Sequence, residues 1–70
     1  MNYVAILEHN ADGWSAYVLD LPGCTSWGET REAVIRNIRD AIESHIGVLR
    51  ERGETVPEAN AVPEIVTIAG

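Results

Sequence analysis

The sequence lacks the features that stabilise many small proteins covalently or through metal ions. It has one cysteine, Cys24, among 70 residues, so no disulfide can form within the chain. Cys24, His9 and His45 do not match a metal-ligand spacing. We therefore expect no metal and no other cofactor. Because so small a core usually needs added support, we predict a homo-oligomer, a dimer or larger.

Long apolar runs and targeting segments are also absent. No stretch approaches the roughly 18 apolar residues that a membrane span requires. The N-terminal residues MNYVAILEHN lack the basic region followed by an apolar region that marks a secretion signal. We expect a cytoplasmic protein that does not contact the membrane.

Basic residues are missing from most of the chain. All five are arginines within residues 31–52, where four acids leave a net charge of +1. The remainder has seven acids and no base: Glu8, Asp12, Asp20, Glu29, Glu54, Glu58 and Glu64. Such a surface repels nucleic acid and attracts a basic partner, although acidic surfaces also simply keep small proteins soluble. We expect no DNA binding by this chain alone.

Strand-forming residues fill the first part of the chain. Their pattern predicts strands at 2–8, 14–20 and 24–27. A five-residue turn, 9–13, joins the first two into a hairpin. Pro22 ends the second strand because it has no N–H to donate, and Gly23 adds backbone freedom.

A helix is predicted from Arg31 to about Glu51, with Thr30 as its N-cap and Gly53 just beyond its end. Its apolar residues share one wide face. They are Val34, Ile38, Ala41, Ile42, His45, Val48 and Leu49, with Ile35 and Ile46 at one margin. After a proline-containing loop, residues 65–69 predict a last strand.

The predicted fold is a single α+β domain, residues 1–70, with the order β-β-β-α-β. Three strands form an antiparallel meander, and a fourth strand lies parallel beside the first after a right-handed crossover. The one helix packs on one sheet face, yet apolar residues occupy both faces. Tyr3, Ala5 and Leu7 alternate with Val4 and Ile6, and Trp14, Ala16 and Val18 alternate with Tyr17, Leu19 and Leu21. An uncovered apolar face again favours an oligomer.

The cysteine, the acids and the aromatic residues each allow more than one interpretation. Cys24 is a nucleophile only if a histidine lies beside it, and the sequence places neither His9 nor His45 there; a small buried thiol is the preferred interpretation. The candidate partner-binding residues are Glu8, Asp12, Trp14, Tyr17, Asp20 and Trp27. The acids among them are either Mg²⁺ ligands or, as we prefer, solvated turn residues, and the aromatics are either core or interface.

The order and spacing of several short motifs resemble those of the HicB antitoxin family. The matching positions are Glu8, Gly13, Leu21-Pro22-Gly23-Cys24, Gly28-Glu29-Thr30, Asn37-Ile38 and Ala41-Ile42. Residues 45–58, HIGVLRERGETVPE, are similar to the end of the family's helix and the loop after it. Ala33 departs from the pattern, since many relatives carry a glutamate there that would complete a capping box with Thr30.

This resemblance implies a partial ribonuclease-H-like domain that is not an enzyme. It implies binding to a small basic HicA-like toxin, an mRNA-cleaving protein whose RNA-binding surface the antitoxin masks. Longer family members often add a C-terminal DNA-binding segment, which we do not expect within residues ending at Gly70. The alternative is a stand-alone metal-dependent nuclease, or an orphan oligomeric domain, with the same fold.

Overall fold

Three antiparallel strands and one long helix make up the regular structure of the chain. A computed structural model describes residues 1–70. Its elements are β1 (Ala5–Asn10), β2 (Gly13–Val18), β3 (Thr25–Gly28) and α1 (Arg31–Glu51). The sheet has the order β1-β2-β3. The predicted α+β class, the antiparallel meander and the helix that follows it are confirmed.

The hairpin between β1 and β2 is tighter than predicted. The strands pair up to Asn10 and Gly13, so only Ala11 and Asp12 form the loop instead of five residues. Asn10 Oδ1 accepts a hydrogen bond from the Asp12 backbone N–H at 3.0 Å, and Gly13 takes a φ of +144°. The side-chain hydrogen bond and the glycine conformation together allow the turn to close with fewer residues than the sequence predicted.

The segment Leu21-Pro22-Gly23-Cys24 is a structural corner. The Cys24 N–H donates to the Leu21 carbonyl at 3.0 Å, and Gly23 has a φ of +82°. Pro22 in the second position and a positive-φ glycine in the third are the pattern of a type II turn. The corner turns Leu21 fully into the core. The predicted alternation of Leu21 with Val18 on opposite faces is therefore wrong, because the strand ends at Val18.

Both ends of α1 are capped as the sequence predicted. Thr30 Oγ1 accepts from the Ala33 N–H at 3.0 Å. At the other end, Gly53 has a φ of +69°, and the Glu54 N–H donates to the Leu49 carbonyl at 2.9 Å. The Gly53 N–H also donates to the Arg50 carbonyl at 3.1 Å, and the two C-terminal bonds form a Schellman motif, which satisfies carbonyls that the helix itself leaves free. No helix of the structure is both long enough and apolar enough to cross a membrane.

The core lies between α1 and the face of the sheet that carries Ala16 and Val18. Its buried residues are Ala16, Val18, Leu21, Cys24, Val34, Ile38 and Ile46. Ile46 is thus a core residue rather than a margin residue, and Val48 is 43% exposed. The apolar stripe of α1 is wider than the small sheet beneath it, so the packing decides which part of the stripe is buried.

Residues 54–70 form no helix or strand, so the fourth strand predicted at 65–69 is absent from this structure. Two contacts direct this segment. The Tyr3 hydroxyl donates to the Pro57 carbonyl, and Asp20 Oδ2 accepts from the N–H groups of Asn60 (3.0 Å) and Ala61 (2.9 Å). Beyond these anchors the chain has no neighbouring strand, and a strand needs one to satisfy its backbone groups.

Candidate functional site

The sheet face opposite α1 has no covering element, and we call it the open face. Strand pairing defines it, because side chains in line across the sheet point the same way. Its residues are Val4, Ile6, Glu8, Ser15, Tyr17, Leu19, Thr25 and Trp27. Exposure supports the division: Ala16 and Val18 on the helix side are buried, whereas Tyr17 between them is 40% exposed.

Apolar side chains dominate the open face. Tyr17 lies opposite Ile6 on β1, while Leu19 and Trp27 are each 47% exposed. The prediction that one face carries uncovered apolar residues is confirmed. Contiguous exposed apolar patches of this kind mark interaction surfaces in small proteins.

Trp27 is held in place by its neighbours on β2 and α1. A Cβ built on Gly13 would lie 2.9 Å from Trp27 Cζ2, so the indole rests against the Gly13 backbone. Asn37 of α1 donates its side-chain N–H to the Trp27 carbonyl at 2.7 Å. The exposed ring therefore projects from a fixed backbone, which lowers the entropy that binding would cost.

The three candidate acids occupy different places. Glu8 lies on the open face opposite Ser15, and Asp12 is exposed at the tip of the hairpin. Asp20 is half-buried and accepts two backbone hydrogen bonds from the C-terminal segment. Glu8 therefore shares the open face with Tyr17 and Trp27, whereas Asp20 binds the backbone of residues 60 and 61. No three histidine, cysteine or acidic side chains form a group that could hold a metal ion.

Trp14 faces the helix side of the sheet, away from Tyr17 and Trp27. It packs against the core and stacks on His9, with ring centroids 4.4 Å apart and planes 8° from parallel. Of the three candidate aromatics, the structure therefore brings two together on the open face and places the third in packing.

Cys24 and His45 are closer than the sequence indicated, since both line one groove of about 520 Å³ between the Gly23–Thr25 corner and α1. The Cys24 thiol is nonetheless buried, and burial raises its pKa. A raised pKa keeps the sulfur protonated at neutral pH, and the thiolate is the nucleophilic form. The environment is that of a packing residue, which was the preferred interpretation.

Sequence reasoning omitted three apolar members of the open face from the candidate site: Val4, Ile6 and Leu19. Leu19 follows Tyr17 by two positions, and its N–H donates to the Val4 carbonyl at 3.1 Å. The period-two alternation was the available signal, because it places these residues beside Tyr17. The role of Asn37 had no such signal, since its hydrogen bond joins two elements.

Known proteins similar to this chain come from archaea, bacteria and a phage. It is 36% identical over 64 residues to a UPF0150 protein of Thermoplasma acidophilum, covering 87% of this chain and 90% of that one. It is 37% identical over 68 residues to a UPF0150 protein of Synechocystis, covering 96% and 86%. An uncharacterized 14.9 kDa protein of Haemophilus phage HP1 is 33% identical over 66 residues, which span 94% of this chain and half of the phage protein. No solved structure matches significantly.

A family model places these similarities in a functional context. The model describes the HicB-like antitoxin of bacterial toxin–antitoxin systems, and it matches residues 3–69. The match includes the corner, the capped helix and every residue of the open face. With nearly the whole sequence accounted for in this way, the chain belongs to the HicB-like antitoxin family.

Proposed function

We propose that this chain neutralises a small basic HicA-like ribonuclease by covering the toxin's RNA-binding surface with the open face. The observation that carries the proposal is the exposed pair Tyr17 and Trp27, set beside Glu8 on a sheet face that nothing covers. Membership in an antitoxin family supplies the class of partner, a toxin.

The charge of the chain suits a partner that binds RNA. A ribonuclease attracts phosphates with lysines and arginines, and the acids outside residues 31–52 offer the same charge as phosphate without any competing base. Glu8 lies on the open face with the two aromatic anchors, and Asp12 lies at the tip of the same hairpin. Aromatic residues surrounded by polar contacts commonly carry most of the binding energy of an interface.

We further propose that the fold is the partial ribonuclease-H-like domain that the family resemblance implies, acting without catalysis in the cytoplasm. The antiparallel meander followed by a helix on one face supports this relationship. No observation favours the alternative of a metal-dependent nuclease, because Glu8 lies on the open face whereas the Asp20 carboxylate accepts backbone hydrogen bonds from residues 60 and 61. We also propose that residues 1–70 do not bind operator DNA, which a mobility-shift assay at physiological salt tests.

The first experiment is co-expression with a small basic protein encoded beside this one. We expect the two proteins to co-purify and this chain to relieve the toxin's growth arrest. Trp27→Ala should weaken the complex by about 2 kcal/mol, roughly thirtyfold, mainly through faster dissociation. Val48→Ala is the matched control, since Val48 is 43% exposed but lies on α1; it should leave affinity unchanged.

The second experiment tests the charge on the hairpin. Glu8→Gln combined with Asp12→Asn should slow association and reduce its salt dependence. The control, Asp40→Asn with Glu43→Gln, removes the same charge from the exposed side of α1. Asp20 stays unchanged because its hydrogen bonds hold residues 60 and 61. Failure to co-purify, or equal effects of variant and control in both experiments, would overturn the proposal.

A further inference from the structure

The edge of β1 that faces away from β2 has no partner. β1 is the outermost strand of the sheet, so backbone N–H and C=O groups along that edge are free to bond another strand. α1 packs chiefly against β2 and β3, which leaves β1 only partly covered. The backbone groups along this edge therefore have no strand beside them, and the helix covers them only in part.

A mainly apolar groove of about 500 Å³ runs beside this edge, between the start of β1 and α1. Its apolar walls include Tyr3, Ala5, Ile35, Ile38, Ile42 and Ile46. Ile35 and Ile42 are only half-buried, although they belong to the apolar stripe of the helix. A strand added to β1 would lie under these isoleucines and complete their burial.

The C-terminal segment has the composition of such a strand and occupies no groove of its own chain. Ile65, Val66 and Ile68 are 92%, 71% and 81% exposed. β-Branched residues of this kind favour strands, and leaving several of them in water is unfavourable. The Cα radius of gyration, 13.8 Å, exceeds the roughly 11 Å expected of a compact chain of this length. The segment thus extends away from the folded body.

The anchors of this segment lead it away from its own β1 edge. By extension of the strand register, Tyr3 before β1 lies opposite Asp20 after β2. The chain meets Tyr3 at Pro57 and then Asp20 at Asn60, so it crosses the end of the sheet from β1 toward β2. Residues 62–70 follow these anchors, and none of them lines the empty groove.

We propose that residues 65–69 of one copy add as a strand to the free β1 edge of a second copy, and that the exchange is reciprocal. Each copy has one unpaired segment and one empty groove, so a two-fold dimer satisfies both at once. Backbone bonds to β1 provide affinity, and alternate side chains enter the groove. The fourth strand predicted from the sequence then forms between copies, and the open face stays free for a toxin. This proposal concerns a different surface and does not depend on the proposed function.

The mass in solution and one pair of variants test the dimer. Light scattering of the full chain at micromolar concentration should give about twice the 7.6 kDa chain mass. Ile68→Glu should raise the dimer dissociation constant at least about tenfold, because it replaces an apolar side chain with a charged one in a mainly apolar groove. Val62→Glu is the matched control: Val62 is 83% exposed, as Ile68 is 81%, but precedes the strand. It should change the constant less than about threefold.

Isotope-filtered NMR on an equal mixture of labelled and unlabelled chains shows which copy holds the segment. We expect methyl contacts between Ile68 of one copy and Ile35 or Ile42 of the other. Three results would each overturn the proposal: a monomer with a free segment, contacts only within one chain, or a dimer that Ile68→Glu leaves intact. The last would assign the dimer to the open face. Circular dichroism of Ile68→Glu confirms that the body stays folded, as exposure of this residue leads us to expect.

Discussion

Replacing Leu21 with alanine should remove a large part of the stability of this domain. Leu21 is fully buried at the corner after β2 and packs in the seven-residue core. Truncation of a buried leucine to alanine costs about 2–5 kcal/mol, since lost burial adds to the cavity left behind. A chain of 70 residues has about 3.5–10 kcal/mol of folding free energy in total. The variant is thus expected to be marginally folded at best.

Leu19→Ala provides the comparison, because it makes the same chemical change two residues earlier. Leu19 lies on the open face and is 47% exposed. Only part of its side chain leaves water on folding, so the expected loss is below about 1 kcal/mol. Leu21→Met keeps the volume and apolar character of the core and should cost less than about 1.5 kcal/mol.

Urea and thermal unfolding, followed by circular dichroism and tryptophan fluorescence, measure these differences. At about 4–8 °C per kcal/mol for a domain of this size, Leu21→Ala should lower Tm by roughly 8–40 °C. All proteins must be compared at one concentration, because a dimer makes Tm depend on it. Equal losses for the two leucines, or a larger loss for Leu19→Ala, would refute the assignment of the corner to the core.

Three further tests, two of them with a control substitution, concern the helix contacts and the buried thiol. Gly28→Ala should lower the free energy of unfolding by about 1–3 kcal/mol, because the new Cβ would lie 2.5 Å from the Val34 backbone nitrogen. Gly47→Ala is the control: no atom lies within 4 Å of its Cβ, so it should raise that free energy by about 0.5–1 kcal/mol. Thermal unfolding compares the two variants. Thr30→Ala should lose about 1 kcal/mol in urea unfolding, whereas Thr30→Ser keeps the cap and should lose little. Burial raises the pKa of Cys24 above the ordinary 9.0, so the folded state holds the proton more tightly than the unfolded state. The contribution of the thiol to folding stability is fully present below about pH 8 and declines as the pH rises through the unfolded thiol pKa. Cys24→Ala should remove this decline from the free energies of unfolding measured up to about pH 10. An unchanged pH slope in that variant would argue against the burial effect.

The sequence by itself determined the features that depend on contacts a few residues apart. The ends of α1 follow from Thr30 and Gly53, since each cap bonds to groups within the adjacent turn. The uncovered apolar face follows from alternation, because Ile6 and Tyr17 point the same way once two strands pair. The tight corner at Pro22 likewise depends on local backbone preferences.

Only the tertiary structure decided the features that depend on where separate elements meet. Leu21 enters the core and Leu19 does not, since β2 ends at Val18 and the corner that follows turns the chain toward α1. His45 reaches the groove beside Cys24 through the packing of the helix on the sheet. The segment 65–69 has the composition of a strand but no strand beside it within its own chain. The composition of a segment gives only its propensity for a strand, whereas a strand forms only where another backbone supplies its hydrogen bonds.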